Sequence, residues 1–232
     1  MPGSKCVDIH EIYSIKRDGT HKFRPVLMGN QLRKDIDYKA TFSGTVTADS
    51  IRFFFSLATS MNMQVHGGNV KCAYLNARQR IPIYAYLPSY WDLVDLTWEK
   101  LGEIRRTLRK LIHSEGTGAF RRLVKSKRRS SRRVIRLLAS VYGTPDAGNA
   151  WGLLLIHVMT VKLGFKRSSV DGCIYFKTNK VLVPKENDVD TRWTTEYIVV
   201  LTWTDDMPYF GTSPMIEEYE REIVKHLPMV FK

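Results

Sequence analysis

The 232-residue sequence predicts a fold of the α+β class, with helices packed on one face of a sheet. Two observations carry this prediction. Apolar residues recur at helical spacing in separate stretches, and β-prone runs alternate with those stretches along the chain. The apolar fraction of 44% excludes a disordered protein and is enough for one substantial core or two small ones.

The N-terminal part of the chain predicts a hairpin and then an amphipathic helix. Residues 12–28 alternate loosely and break at Asp18-Gly19, which is typical of a tight turn between two strands. A helix over residues 49–61 follows, with Asp49 as its N-cap. Its core face consists of four apolar residues at helical spacing: Ile51, Phe54, Phe55 and Ala58.

The middle of the chain predicts two strands separated by a helix and a basic run. The first strand covers residues 63–65 and meets Gly67-Gly68, where two glycines imply a bend or a close backbone approach. Leucine and isoleucine at helical spacing predict a helix over residues 92–113. After the basic run, residues 134–142 are a predicted strand.

The C-terminal part predicts a helix, three strands and a second helix. The first helix begins near Trp151 and is closed by Gly164. Strands at residues 174–177 and 197–203 flank an exposed acidic loop at 184–196, and a short arm at 208–210 completes a hairpin. The last helix is expected to begin at Ser213, with Pro214 at its first helical position.

The net charge of +13 is concentrated in one segment. Residues 100–136 contain 14 Lys and Arg against two Glu, a net charge of +12, whereas the rest of the chain has 22 basic and 21 acidic residues. The high sequence pI of about 9.7 is therefore due to the basic residues of this one segment. Any argument for a polyanionic partner starts with these residues.

Several classes of protein are excluded by simple patterns. Cys6, Cys72 and Cys173 form no CxxC pair, which argues against a disulfide framework and a zinc finger. No apolar stretch reaches the roughly 20 residues of a membrane span, and the N-terminus lacks the apolar core of a signal peptide. We therefore expect an intracellular protein of the cytoplasm or nucleus, with no membrane partner.

The adjacent carboxylates Asp205 and Asp206 are the sharpest local feature. At the tip of an apolar hairpin they can present oxygen ligands to a hard cation such as magnesium. A pair of aspartates in a turn is also common without any such role.

Asp205 and Asp206 belong to the last of six short sequence motifs that follow one another along the chain. They are IKRDGT with KFR at 15–24, DY, TFS and SIR at 37–52, HGGNVKCAYLN at 66–76, S.YG with AW at 140–151, GFKRS..DGCIY at 164–175, and DD with Gly at 205–211. Six blocks in this order resemble the reverse transcriptase domain of copia-type LTR retrotransposons, over most of the chain.

The resemblance implies a palm-like antiparallel sheet backed by helices and a small fingers subdomain, with no thumb in this sequence. The implied activity is RNA-directed DNA polymerisation, with an RNA template, a DNA primer and dNTP as partners. Two Mg²⁺ ions would be held by three carboxylates, of which Asp205 and Asp206 are two. The third position, which is the first catalytic aspartate of the family, is occupied here by Asn69.

The resemblance also implies a set of nucleotide-binding positions. Lys22 and Arg24 match cations expected to bind the phosphates of the incoming nucleotide. Tyr74 matches the aromatic residue beneath the sugar, and Asp146 lies in the block that would face template and nucleotide. Without the resemblance, Lys22 and Arg24 would be read as a solvated strand face and Tyr74 as core.

The departures from the family pattern predict an impaired enzyme. An amide at position 69 removes a full negative charge from a site that must hold two dications. Pro145, Asp146 and Asn149 stand where the family has Lys, Gln and Arg, so that cations are lost. After the paired aspartates, Pro208 removes a hydrogen-bond donor where the hairpin should return.

The basic segment is not part of the family pattern. Its cations lack interleaved aromatic residues, which is typical of a phosphate-backbone contact without base readout. The candidate nucleic-acid-binding residues are Arg121, Arg122, Lys125, Lys127, Arg128, Arg129, Arg132 and Arg133. The alternative is a solvated loop without a selected partner.

These observations predict a fingers-like part at 1–62, a first palm segment at 63–91, a helical and Arg/Lys-rich insertion at 92–133, and the rest of the palm at 134–232. The leading hypothesis is a copia-type reverse transcriptase domain with low or lost activity. Two alternatives stay open: a non-catalytic nucleic-acid-binding relic that uses the basic insertion, and a decayed element without function.

Overall fold

The computed structural model describes residues 6–87, 133–184 and 191–231, and it confirms the α+β class. The strands are β1 Cys6–Ile15, β2 His21–Leu27, β3 His66–Val70, β4 Tyr84–Tyr86, β5 Val134–Arg136, β6 Lys166–Arg167, β7 Ile174–Pro184, β8 Thr191–Leu201, β9 Asp206–Gly211 and β10 Met229–Phe231. The α-helices are α1 Ala48–Ser60, α2 Ala73–Asn76, α3 Ala147–His157 and α4 Ser213–Ile223.

The described residues divide into two compact units. The first contains residues 6–37, 81–87 and 133–144, and the second contains residues 38–80, 145–184 and 191–231. Each unit has its own sheet, so that the described part of the chain has two sheets rather than the single sheet that the element order suggested. The segment boundaries predicted at residues 62, 91 and 133 stay a prediction.

The first unit is a four-stranded sheet in the order β2-β1-β4-β5. The predicted N-terminal hairpin is confirmed, because β1 and β2 pair antiparallel around a turn at Asp18-Gly19. Gly143 closes the unit: it has φ +88, and a Cβ there would lie 2.1 Å from the carbonyl oxygen of Leu27. Only glycine fits this close approach.

The second unit is a six-stranded antiparallel sheet in the order β10-β3-β9-β8-β7-β6. Helices cover both of its faces. Ile198 and Val200 of β8 lie in the cluster that contains Trp151 of α3 and Tyr219 of α4. The alternate residue Leu201 lies in a second cluster with Phe54 of α1, while Val199 packs against that cluster.

The expectation of helices on one face was therefore wrong. β8 is apolar at successive positions, and successive side chains of a strand point to opposite faces. Both faces of such a strand need a cover, as in sheets that are buried on both sides.

Several element boundaries differ from their predictions. The N-cap of α1 is Thr47, whose hydroxyl accepts a hydrogen bond from the backbone N of Ser50 at 3.2 Å, while Asp49 lies in the first turn. The N-cap of α4 is Thr212, so that Ser213 is already helical. In both cases a threonine one or two positions before the expected residue has the extended backbone of a cap.

Strand lengths also differ. Strand β3 begins at His66, and Gly67-Gly68 lie inside it rather than at a bend. The exposed loop predicted at 184–196 is wrong for residues 191–196, because β8 already begins at Thr191 and pairs with β7 along its whole length. The strand predicted at 134–142 ends at Arg136.

The helix predicted over residues 92–113 lies outside the described residues, as does most of the basic run. Within the described part of the chain, every helix is too short or too polar to cross a bilayer.

Candidate active site

The hairpin tip between β8 and β9 carries the paired aspartates. Trp203 and Asp206 close it with two backbone hydrogen bonds, of 2.8 and 3.0 Å, around a turn formed by Thr204 and Asp205. Thr204 has φ +56, in the left-handed region. Its carbonyl oxygen accepts a hydrogen bond of 2.8 Å from the indole nitrogen of Trp151, which is buried in α3. A core side chain thus holds the turn in place.

Strand β3 brings position 69 to this tip. The backbone N of Val70 donates to the carbonyl oxygen of Asp205 at 2.8 Å, and Asn69 pairs with Asp206 in the β3–β9 register. The amide Nδ2 of Asn69 donates to Oδ1 of Asp206 at 2.9 Å. The structure therefore brings together the three positions that the sequence singled out: Asn69, Asp205 and Asp206.

Pro208 interrupts the hydrogen bonds of this hairpin without preventing it. In the register of β8 and β9 its partner would be Leu201, between the Val200–Tyr209 pair and the isolated bridge at Trp203. Proline has no N–H to donate there, and the paired ladder stops at Tyr209. β9 nevertheless runs through Pro208, because β3 pairs with it from the other side.

The donor set at the tip does not fit a centre for two magnesium ions. A carboxylate can only accept hydrogen bonds, so that the Asn69 side chain must present its NH₂ group, which cannot ligate a cation, to Asp206. Asp205, which is half-buried, and Asp206, which is exposed, are the carboxylates that the tip itself offers. Within residues 6–87, 133–184 and 191–231, no three His, Cys, Asp or Glu side chains are grouped closely enough to hold a metal ion.

Two of the predicted nucleotide-binding cations lie on β2 in the first unit. Lys22 and Arg24 are two residues apart on a strand, and they therefore point to the same face. The guanidinium of Arg24 lies 6.0 Å from the centre of the Tyr142 ring, a cation–π distance. The carbonyl oxygen of Tyr142 accepts a hydrogen bond from Leu27 at 2.7 Å, so that the tyrosine is fixed to the same strand as the arginine.

The other two predicted nucleotide contacts lie in the second unit. Tyr74 is on the short helix α2 and packs, partly buried, against the main hydrophobic cluster. Asp146 is 6% exposed, and one of its oxygens accepts a hydrogen bond of 3.4 Å from Nε2 of Gln79. Burial raises the pKa of Asp146 above its usual range. The nucleotide contacts of Tyr74 and Asp146 stay predictions.

The predicted nucleic-acid-binding cations Arg121, Arg122, Lys125, Lys127, Arg128, Arg129 and Arg132 lie outside the described residues. Arg133 begins the next described segment, and its carbonyl oxygen accepts a hydrogen bond of 2.9 Å from Leu87.

Sequence reasoning missed the role of the Trp151 indole, which it counted only as core. The signal was present, because a buried tryptophan generally finds an acceptor for its N–H. It missed Gln79 as well, because a single glutamine in a loop carries no pattern.

Comparisons with known proteins agree with this geometry. A family model described as reverse transcriptase (RNA-dependent DNA polymerase) matches residues 2–107. The chain is also 25% identical, over 233 aligned residues, to the retrovirus-related Pol polyprotein from transposon TNT 1-94 of Nicotiana tabacum, a match that covers 98% of this chain and 14% of the polyprotein. No solved structure matches. These two matches support the resemblance of the chain to the reverse transcriptase domain of a copia-type retrotransposon.

Proposed function

We propose that this chain is the fingers and palm part of an RNA-directed DNA polymerase, and that Asn69 lowers its polymerase activity. The observation that carries the proposal is the meeting of Asn69, Asp205 and Asp206 at one end of the second sheet. Family resemblance assigns catalytic carboxylates to these three positions. The chain spans 14% of its polyprotein relative. Assigning an activity of the whole polyprotein to this chain is therefore part of the proposal.

The proposed partners are an RNA template, a DNA primer and dNTP. The six-stranded antiparallel sheet with helices on its faces is compatible with a palm, and the basic hairpin of the first unit with fingers. Lys22 and Arg24 on one strand face suit the phosphates of a nucleotide. Relatives with three carboxylates would use two Mg²⁺ ions, and the missing carboxylate is the reason for proposing a low rate here.

Primer extension on an RNA template tests this proposal. We expect the wild-type chain to extend poorly and Asn69→Asp to extend faster, because the variant restores the third carboxylate. Asp205→Ala should abolish extension in both backgrounds. Asn76→Asp is the matched control, since the Asn76 amide donates to the backbone carbonyls of Lys71, Cys72 and Ala73 and not to a carboxylate. Extension by Asn69→Asp no faster than by wild type would contradict Asn69 as the cause.

A second candidate function is binding of nucleic acid without catalysis, through the basic insertion. The observation that favours it is the net charge of +12 within residues 100–136, in a chain that is otherwise close to neutral. Each phosphate contact by a cation releases counterions, so that affinity should fall steeply with salt concentration.

A filter-binding titration at several salt concentrations separates the two functions. Deletion of residues 119–133 should remove most affinity and flatten the salt dependence, whereas Asp205→Ala should leave binding unchanged. Replacement of only the cations in that segment by Gln controls for the loss of chain length. Unchanged affinity after the deletion would exclude the insertion as the binding segment, and no affinity even in the intact chain would favour a decayed element.

A further inference from the structure

The Asn69–Asp206 pair lies where two side chains must be close, whichever residues occupy it. Because Val70 donates its backbone N–H to Asp205, the Val70–Asp205 pair is a hydrogen-bonded pair of the antiparallel ladder. The neighbouring Asn69–Asp206 pair is then of the other kind, in which no backbone bonds join the two residues and the side chains approach more closely. The 2.9 Å contact is therefore imposed by the register.

This position has different consequences for an aspartate and for an asparagine. With an aspartate at 69, two carboxylates would face each other across β3 and β9, and Asp205 would add a third beside them. Like charges directly opposite on a sheet are destabilising, and a bound cation would relieve them. With Asn69 the same contact is a hydrogen bond from a neutral donor to a charged acceptor, which is attractive without a cation.

The pair lies at the end of the contact between β3 and β9. β3 has five residues, and its contact with β9 ends at this pair and the adjacent Val70–Asp205 bond. On the other side of β9, the ladder with β8 stops at Tyr209 because of Pro208, and two backbone hydrogen bonds between Trp203 and Asp206 close the tip beyond this gap. The Asn69–Asp206 bond thus joins β3 to the same residue that closes the β8–β9 tip.

We propose that the Asn69 amide takes the place of a divalent cation in holding β3 against β9, so that this site is structurally complete without metal. The inference rests on the proposed function at one point, which is the assignment of an aspartate to position 69 in related enzymes. It extends that function by stating why the substitution persists in a folded chain: the amide removes the electrostatic cost of an empty carboxylate site.

Thermal unfolding of the full chain, followed by circular dichroism in EDTA and in millimolar MgCl₂ or MnCl₂ at matched ionic strength, tests the proposal. The wild-type Tm should be the same in all three solutions. Asn69→Asp should lower the Tm by several degrees in EDTA, and either divalent cation should recover most of that loss. A wild-type Tm that rises with Mg²⁺, or an Asn69→Asp Tm that does not respond to metal, would overturn the proposal.

Two further variants keep the test sharp. The exchanged double variant N69D/D206N restores one amide and one carboxylate, and its Tm in EDTA should return toward that of wild type without added metal. This double variant also tests the proposal if Asn69→Asp alone does not fold. Asn76→Asp should respond equally in EDTA and in metal, because no carboxylate faces Asn76 among its hydrogen-bond partners. A double variant as metal-dependent as Asn69→Asp would contradict the pairwise role.

The outcome is independent of polymerase activity. Absence of primer extension from every variant would remove the proposed function and leave the melting result intact. Efficient primer extension by the wild-type chain, together with a wild-type Tm that does not respond to metal, would contradict only the proposed loss of polymerase activity.

Discussion

The buried carboxyl of Asp146 has an unusual neighbour. Its second oxygen and the Oε1 of Gln79 are both buried and have no hydrogen-bond partner. An ionised carboxylate can only accept hydrogen bonds, whereas a protonated one also has a donor, and burial raises the pKa of Asp146 in the direction that supplies this proton. The pair therefore favours a neutral side chain at position 146.

Asp146→Asn should stabilise the protein at about pH 8 by about 1 kcal/mol, and by less at about pH 4. The raised pKa means that the folded state binds the proton more tightly than the unfolded state. Wild-type stability is thus complete below the unfolded pKa and falls as the pH rises through the folded pKa. An asparagine escapes this loss and can donate to Gln79 as well.

Urea unfolding at the two pH values measures this effect. Asp35→Asn is the control, because Asp35 is exposed and has a left-handed backbone that asparagine tolerates. Equal destabilisation of Asp146→Asn at both pH values would show that the carboxylate is needed.

The pKa of Asp171 is shifted in the opposite direction to that of Asp146. Burial alone would raise its pKa, but hydrogen bonds from Ser50, Cys173 and Thr47 outweigh burial and lower the pKa below its usual range. Its carboxylate accepts from the backbone N of Thr47 at 3.1 Å and of Cys173 at 2.9 Å. One side chain thus links the start of α1 to the segment before β7.

Asp171→Asn should cost about 1–3 kcal/mol of unfolding free energy at neutral pH, because buried donors lose a charged acceptor. The stabilisation by Asp171 is present above its unfolded pKa and is lost as the pH falls through the lower folded pKa. The difference between wild type and variant should therefore shrink in acid. Asp49→Asn, at an exposed ion pair of the same helix, should change stability little at any pH. A difference that does not vary with pH would contradict the ionic role.

Among the elements, the turn between β8 and β9 carries backbone strain at Thr204. Thr204 is β-branched and has φ +56, a region that asparagine tolerates better than threonine. Thr204→Asn should therefore raise the unfolding free energy by up to about 1 kcal/mol. The hydrogen bond from Trp151 is made to the backbone carbonyl and should survive the change.

Thermal unfolding checks this expectation, with Thr195→Asn as the matched control. Thr195 is exposed on the extended strand β8, where asparagine is a poorer β-former, and we expect its Tm to fall slightly. A fall of similar size for Thr204→Asn would mean that the turn is not strained.

Strand β3 contains a glycine, Gly68, in its interior. Gly68 stands inside the strand, and a Cβ there would lie 2.8 Å from Cε of Met229 and 3.2 Å from the carbonyl oxygen of Met207. The predicted close backbone approach is thus confirmed, whereas the predicted bend is wrong. Pairing with β10 on one side and β9 on the other keeps the strand extended.

For the whole molecule, the tip of the β1–β2 hairpin and the inner part of the β7–β8 hairpin differ in how deeply their apolar side chains are buried. The hairpin of the first unit exposes large apolar side chains on both strands: Ile12, Tyr13, Ile15 and Phe23. In the second unit Ile198 and Val200 have no exposed surface. Local opening is easiest where little apolar surface is buried.

Hydrogen exchange followed by mass spectrometry should therefore find faster exchange in β1 and β2 than in β7 and β8, by at least an order of magnitude. Peptides from the paired inner part of the β7–β8 hairpin serve as the internal reference. Equal protection of both hairpins would mean that the first unit is stabilised by contacts other than those of its own sheet.

The sequence by itself determined the α+β class, the N-terminal hairpin, the helices near Phe54 and Trp151, the place of the charge and the resemblance to reverse transcriptases. These follow from patterns within a few turns or strands, or from blocks whose order can be compared directly. Capping at Thr47 rather than Asp49 escaped prediction because neighbouring residues compete for one role.

Only the tertiary structure decided which distant residues meet. Asn69 and Asp206 are 137 positions apart, and their hydrogen bond depends on the register of β3 with β9. Gln79 and Asp146 are 67 positions apart and share no element. The asparagine at residue 69 is visible in the sequence. Its hydrogen bond to Asp206 becomes visible only when the strands are paired, because the energy of that contact belongs to two residues and not to either alone.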